Sequence, residues 1–276
     1  MEELMGIRKV EVSIGMSWIE VDEANLRILC GSPADSVKHL MKAGLICPKE
    51  KDGIRYESGP NAVLLSDVSV QNGGFSNLAE FPILQMFYRQ GMLVPGHPGN
   101  DGSRPLIIGL ENQVKAQLAY IDIGKAGIMD ERELAAVGLQ PKAIKELVEL
   151  KRAFAYGDVR ATSELVDVLL VERDEVQLPG GVRLLRTGLN RYTIRYKDES
   201  VDIDLNLGAG QAYMSPHKLR GTSIRPEYFS VVHVGEGDGW NPNLPCMGSV
   251  LSYQGKVYLI DTGPNILATL TALGLS

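Results

Sequence analysis

Cysteine is scarce in this 276-residue chain, and what there is does not pair up. Cys30, Cys47 and Cys246 are odd in number and far apart, which argues against a disulfide framework and against a Cys-x-x-Cys zinc site. Reduced, mostly buried thiols are the expectation. Long apolar runs are absent as well: no stretch of about 18 apolar residues occurs, so no membrane-spanning helix is expected. The opening MEELMGIRKVEV is charged and lacks an apolar core segment, unlike a secretory signal peptide, and a cytoplasmic location is the expectation. Positive charge is in deficit, with 28 Lys and Arg against 34 Asp and Glu. A net charge of −6 excludes a nucleic-acid surface spread over the whole chain. Hydrophobic residues make up 44 %, enough at this length for the cores of two ordinary domains.

The most organised stretch is 229–265. An apolar run, Phe229 to Val234, breaks into a turn carrying Gly235, Gly237 and Gly239, which reads as a strand feeding a loop of unusual backbone. After a proline-marked excursion, Ser249–Tyr253 and Lys256–Ile260 alternate apolar and polar residues around Gln254-Gly255, a hairpin signal. The second strand runs into Asp261-Thr262-Gly263. Pro264 then opens a helical pattern through Ile266, Leu267, Leu270 and Leu273, with Pro in a first-turn position. Asp261 therefore sits at the carboxyl end of a strand beside a helix start, where sites in layered α/β folds lie. A strand ending in Asp-Thr-Gly also occurs in aspartic proteases, but their paired carboxylates need a second such motif, and none is present.

The order of strand, Gly-rich turn, GSVLSYQGKVYLIDTG and helix resembles the opening of a metallo-β-lactamase-fold hydrolase domain. With CGSPADSVKHLMKAGLI and SGPNAVLLSDVSVQNGGFSNLAEFPILQMFYRQGMLVPGHPGN, it is similar to bacterial proteins in which a leading α/β region precedes such a domain. A cyclic-nucleotide-binding domain often follows in those proteins. The resemblance implies an αββα sandwich of which residues 228–276 would be the first hairpin and helix. It also implies a zinc-activated water attacking an ester or amide, with Asp261 in a supporting role beside the metal loop. The family's His-x-His-x-Asp-His ligand loop has no counterpart in this sequence. The chain is thus expected to be a truncated amino-terminal portion of such an enzyme, without a zinc site and inactive alone, although zinc belongs to the complete family.

Read from its start, the chain gives short alternating strands over 8–30. A helix is expected over 34–43, with Ser32 as its cap and Pro33 at its first position. Cys30-Gly31-Ser32-Pro33 lacks the glycines and lysine of a phosphate loop and reads as a plain turn before that helix. His39, with no second metal-type residue three or four positions away, reads as a surface histidine. Residues 48–61 are polar and turn-rich. A buried strand over 62–67, a helix from about Asn77 to Gln90 with Pro82 in its first turn, a strand over 106–109 and a helix over 111–123 make an alternation that favours a parallel α/β arrangement. The loop 91–104 is longer than most connections and is either functional or a packed irregular turn.

Helices are expected over 131–137 and 141–156, the second stopped by Gly157, with Thr162 as the cap of a further short segment. From 176 the period changes to two, and Pro-Gly-Gly, Gly-Leu-Asn and Lys-Asp-Glu-Ser turns divide a meander of about four strands. Asp202 and Asp204 share one face there, more simply a solvated face than acid–base or cation-holding work. Residues 208–227 are rich in Gly, Pro and Ser and mark a connector between a 1–207 region and 228–276; His217 within it should face solvent. The fold class is mixed α/β. Pocket candidates are His233, Asp238, Asp67, Asn77, Glu80 and His97. The alternative to the hydrolase reading is a non-catalytic ligand-binding or regulatory module built on residues 60–125. Expected partners are a small molecule and either a homo-oligomer or a completing chain.

Overall fold

Apolar alternation from Arg8 onward produces three antiparallel strands, β1 (Arg8–Ser13), β2 (Met16–Val21) and β3 (Leu26–Cys30). They belong to a computed structural model that describes residues 6–154, 159–172, 174–219 and 221–275. Gly31 ends β3 at a positive φ of 74°, and a Cβ there would meet the Gly15 carbonyl at 2.3 Å, so only glycine fits. Helix α1 (Ser36–Lys42) starts two residues later than the pattern suggested. Asp35 precedes it in a left-handed conformation, φ 59°, and turns its carboxylate inward to Lys38 and Tyr213. Ser32 does not cap the helix; its N–H is taken by the Asn77 side chain.

Residues 48–57, expected only as polar turns, form a hairpin of β4 (Pro48–Lys51) and β5 (Ile54–Glu57). Its outward-facing polar residues hide the alternation. Strand β6 (Ala62–Leu64) returns parallel to β3, and a two-residue ribbon follows, β7 (Val70–Gln71) with β8 (Phe75–Ser76). The helix expected over 77–90 is a single α-turn, α2 (Glu80–Leu84), continued by a wider π-helical turn over Gln85–Arg89. That turn brings Gln85 and Arg89 onto the Glu57 carboxylate, with Gln85 Nε2 3.2 Å and Arg89 Nε 2.8 Å away. The chain continues through β9 (Leu106–Gly109), α3 (Glu111–Ala126), α4 (Glu131–Ala136), α5 (Pro141–Phe154) and β10 (Asp167–Leu170). Tyr156 and Gly157 lie outside the described residues. Thr162 is not a cap but the first residue of a 3-10 turn, held by hydrogen bonds to Asp122.

A six-stranded sheet in the order β1-β2-β3-β6-β9-β10 is thereby antiparallel on one side and parallel from β3 to β10. Trp18, Leu29, Val63 and Ile107 on one face pack against α1, α2 and α3. Ile19, Ile28, Cys30, Leu64 and Ile108 on the other meet the expected meander, β11 (Val176–Gln177), β12 (Arg183–Gly188), β13 (Arg191–Tyr196) and β14 (Glu199–Asp204). Helices, a mixed sheet and an antiparallel sheet make three layers, so the chain is mixed α/β with several sheets and, among the described residues, six α-helices.

Among the described residues of 208–227 no regular element occurs. After it, β15 (Phe229–Gly235), β16 (Gly248–Tyr253) and β17 (Lys256–Ile260) form a separate antiparallel sheet that leads into α6 (Ile266–Ala272), with Pro264 ahead of the helix and not within it. This unit repeats the first one. β17 and α6 lie 230 positions after β3 and α1, residue for residue. Gly31 and Asp261 both take positive φ (74° and 54°), as do Gly44 and Gly274 (71° and 70°). Each helix ends with the same bond, Leu45 N–H to Leu40 C=O and Leu275 N–H to Leu270 C=O, both 2.9 Å.

Candidate functional site

The segments that follow β3 and β6 meet the second unit around a cleft of about 160 Å³. Asp35, Lys38, Glu80, Tyr120, Thr262 and Pro264 are among the residues lining it. Lys38 holds this junction together. Its side chain and that of Asp35 are each 1 % exposed, 3.2 Å apart. The ammonium also donates to the Leu244 carbonyl at 2.9 Å and lies 3.4 Å from Cys246 Sγ. Tyr213 donates to the other Asp35 oxygen at 2.5 Å, and burial beside that carboxylate holds the phenol well above its ordinary pKa. Burial also raises the Cys246 thiol, against the opposing pull of Lys38. Burial raises the Glu80 carboxyl, which sits against the Gly124 backbone, where a Cβ would come within 1.7 Å of Glu80 Oε1.

His217 is buried, not solvent-facing. The connector folds back onto α1, where Met214 C=O meets His39 Nε2 at 3.0 Å. His217 Nε2 lies 3.4 Å from Asn265, the residue preceding α6, while Nδ1 has no hydrogen-bond partner. Burial, then the Lys38 charge, depresses its pKa. Cys47 is the exposed thiol, because it lies on the outer hairpin connection, and Cys30 is the fully buried one.

The seven residues singled out from sequence scatter. Glu80 lines the cleft. Asp67 is buried and saturated: Arg186 pairs with it at 2.8 Å, Tyr192 donates at 2.5 Å and the Asn190 N–H at 2.7 Å, which fastens the meander to the main sheet. Asn77 accepts from the Ser32 N–H, and its buried amide nitrogen has no partner. His97 stacks edge-on against Tyr56 at 5.5 Å, and its Nδ1 accepts from the Gly99 N–H, so the 91–104 loop closes largely on itself. His233 is exposed, 3.2 Å from Ser249 Oγ. Asp238 caps the N–H groups of Trp240 and Asn241, which lowers its pKa. Asp261 is exposed at the end of β17. At the Cys30–Pro33 turn the Gly31 N–H goes to Leu64 C=O and the Ser32 N–H to Asn77, so neither backbone donor is left for a phosphate.

Lys38, Tyr213, Cys246 and His217 were not singled out as site residues. Lys38 reads as one charge on an amphipathic helix, and its partners lie 206 and 208 residues away. The one local signal was Asp35 three positions before Lys38. Among the described residues, no group of three or more His, Cys, Asp or Glu is placed to hold a metal ion, so they do not form the zinc site that the family resemblance calls for. No helix of the described residues is long and apolar enough to cross a membrane. Compared with family models, curated proteins and solved structures, the chain matches none.

Proposed function

We propose that this chain is the non-catalytic part of a metallo-β-lactamase-type, metal-dependent hydrolase, supplying scaffold and Asp261 but none of the metal ligands. The observation that supports this reading is the position of Asp261. It ends β17 at a positive φ, is followed by Thr262-Gly263-Pro264 and α6, and leaves its carboxylate exposed beside the cleft-lining Thr262 and Pro264. A carboxylate so placed can accept hydrogen bonds from a neighbouring metal loop and hold its shape. The test is elemental analysis of the dialysed 276-residue chain, alone and co-expressed with a polypeptide bearing a His-x-His-x-Asp-His loop. The chain alone should hold below about a tenth of an equivalent of zinc and the pair about one, with zinc in the pair weakened roughly 10-fold or more by Asp261→Ala. Stoichiometric zinc in the chain alone sinks the proposal.

A second reading, a ligand-binding module, is favoured by the cleft itself. It places Ser76, Glu80, Phe81 and Tyr120 from the 60–125 stretch around about 160 Å³, small even for a metabolite. A small molecule held there would raise the melting temperature of the metal-free chain, and Phe81→Ala would abolish the rise.

A further inference from the structure

The two repeated units differ in what covers them. In the first, Ile19 and Ile28, paired across β2 and β3, and Cys30 beyond them are 0 % exposed, because the β12–β14 sheet lies on that face with Leu184, Tyr192, Ile194 and Ile203. In the second, the counterparts of Ile28 and Cys30 are Tyr258 and Ile260, 46 % and 52 % exposed. The cross-strand register places Phe229, Val231, Leu251 and Tyr253 on the same face. Phe229 and Val231 are 65 % and 58 % exposed. The opposite face is covered along β15 and β16, for Val250 and Ser252 are 1 % and 2 % exposed and Leu219, Ile224 and α6 line a cavity over Val232 and Val234, whereas on β17 Val257 and Leu259 remain 45 % and 42 % exposed.

We propose that this bare face is a self-association surface which seats the same face of a second copy of this chain. The first unit shows what such a face takes: an antiparallel sheet of about three strands presenting alternate apolar side chains, packed roughly 10 Å away. The β15–β16–β17 sheet is itself that object. Its polar side chains on this face are His233, Ser249 and Lys256, so stacking buries no carboxylate. A two-fold arrangement makes the contact closed and self-complementary. The exposed aromatic and aliphatic side chains offer on the order of 600 Å² per copy, which is the small end of specific interfaces and makes the dimer reversible. The pairing follows from the repeated unit and does not depend on metal chemistry.

Sedimentation velocity and light scattering on the 276-residue chain over a concentration series test this. The mass should climb from 30.1 kDa towards twice that value as concentration rises. Val231→Lys and Tyr258→Lys, both at exposed positions, should each hold the chain at monomer mass with unchanged circular dichroism, while Val257→Lys, on the opposite face, should not. Val231 lies on β15, about 10 Å from the free edge of β17, so dimerisation through that edge would survive Val231→Lys. A chain that stays at 30.1 kDa at every soluble concentration overturns the proposal, as does a dimer indifferent to Val231→Lys.

Discussion

At the scale of single residues, the Asp35–Lys38 pair is where the molecule has most at stake. Both charges are out of water, and each depends on the other and on Tyr213 and the Leu244 carbonyl. Removing one partner strands the other, which costs far more than an intact pair gains. Lys38→Met should therefore destabilise by about 3 kcal/mol in urea unfolding, and adding Asp35→Asn should restore part of that loss. His217 gives a pH signature. Its folded pKa is depressed below the ordinary 6.5, by burial first and by Lys38, with Asp35 raising it and Lys42 and His39 adding to the depression. The unfolded chain binds the proton more readily, so the contribution of neutral His217 is complete above pH 6.5 and is lost as pH falls from there through the folded value. Thermal unfolding from pH 8 to 5 should show that decline, and His217→Asn should lessen it, with His39, whose pKa burial also depresses, supplying a further part. Neither residue announces itself in the sequence, because a helical lysine and a histidine beside Pro216 read as solvated until partners from the far end of the chain arrive.

Among elements, local pattern is readable where apolar residues alternate between local turns, but not in the equally local β4–β5 hairpin, whose strands are mostly polar. The meander of β11 to β14 shows period two between Pro-Gly-Gly, Gly-Leu-Asn and Lys-Asp turns, and the hairpin at Gln254-Gly255 is visible in the same way. The α2 region was not, since its apolar spacing fits one continuous helix while Gln85 and Arg89 are drawn to Glu57 of β5. The repeat was hidden too. Backbone conformation is shared between the units but most side chains are not: Leu29, Leu40, Gly44 and Leu45 recur as Leu259, Leu270, Gly274 and Leu275, while Leu26 stands against Lys256 and Lys38 against Ala268. Docking of the second unit depends on the loop between β15 and β16. Trp240 packs on Phe81 with ring centres 5.2 Å apart, and the Arg89 guanidinium lies 5.1 Å from the indole centre. Trp240→Ala should cost about 2–3 kcal/mol. Hydrogen exchange should then quicken across 235–246 and in α6 while the β9–β10 pair keeps its protection.

For the whole molecule, the question is which half carries the folding free energy. The three largest apolar clusters lie within residues 7–205, and the second unit adds only Trp240 to them, as a partly buried neighbour. Its polar ties are the Lys38 bonds to Leu244 and the Cys246 sulfur, with the His217–Asn265 contact bridging from the connector. Hydrophobic burial is the dominant favourable term, whereas a polar contact contributes about 1 kcal/mol net. A chain ending at residue 207 should accordingly still unfold in one cooperative step, at a temperature lowered by several degrees, with the Asp35–Lys38 pair now reached by water instead of left buried and unmatched. For that shortened chain, Lys38→Met should cost well under 1 kcal/mol, since an exposed pair is weak. A broad, non-cooperative melt would show that the first unit needs the second to fold, and a Lys38→Met cost as large as in the full chain would place that pair's burial within the first unit alone.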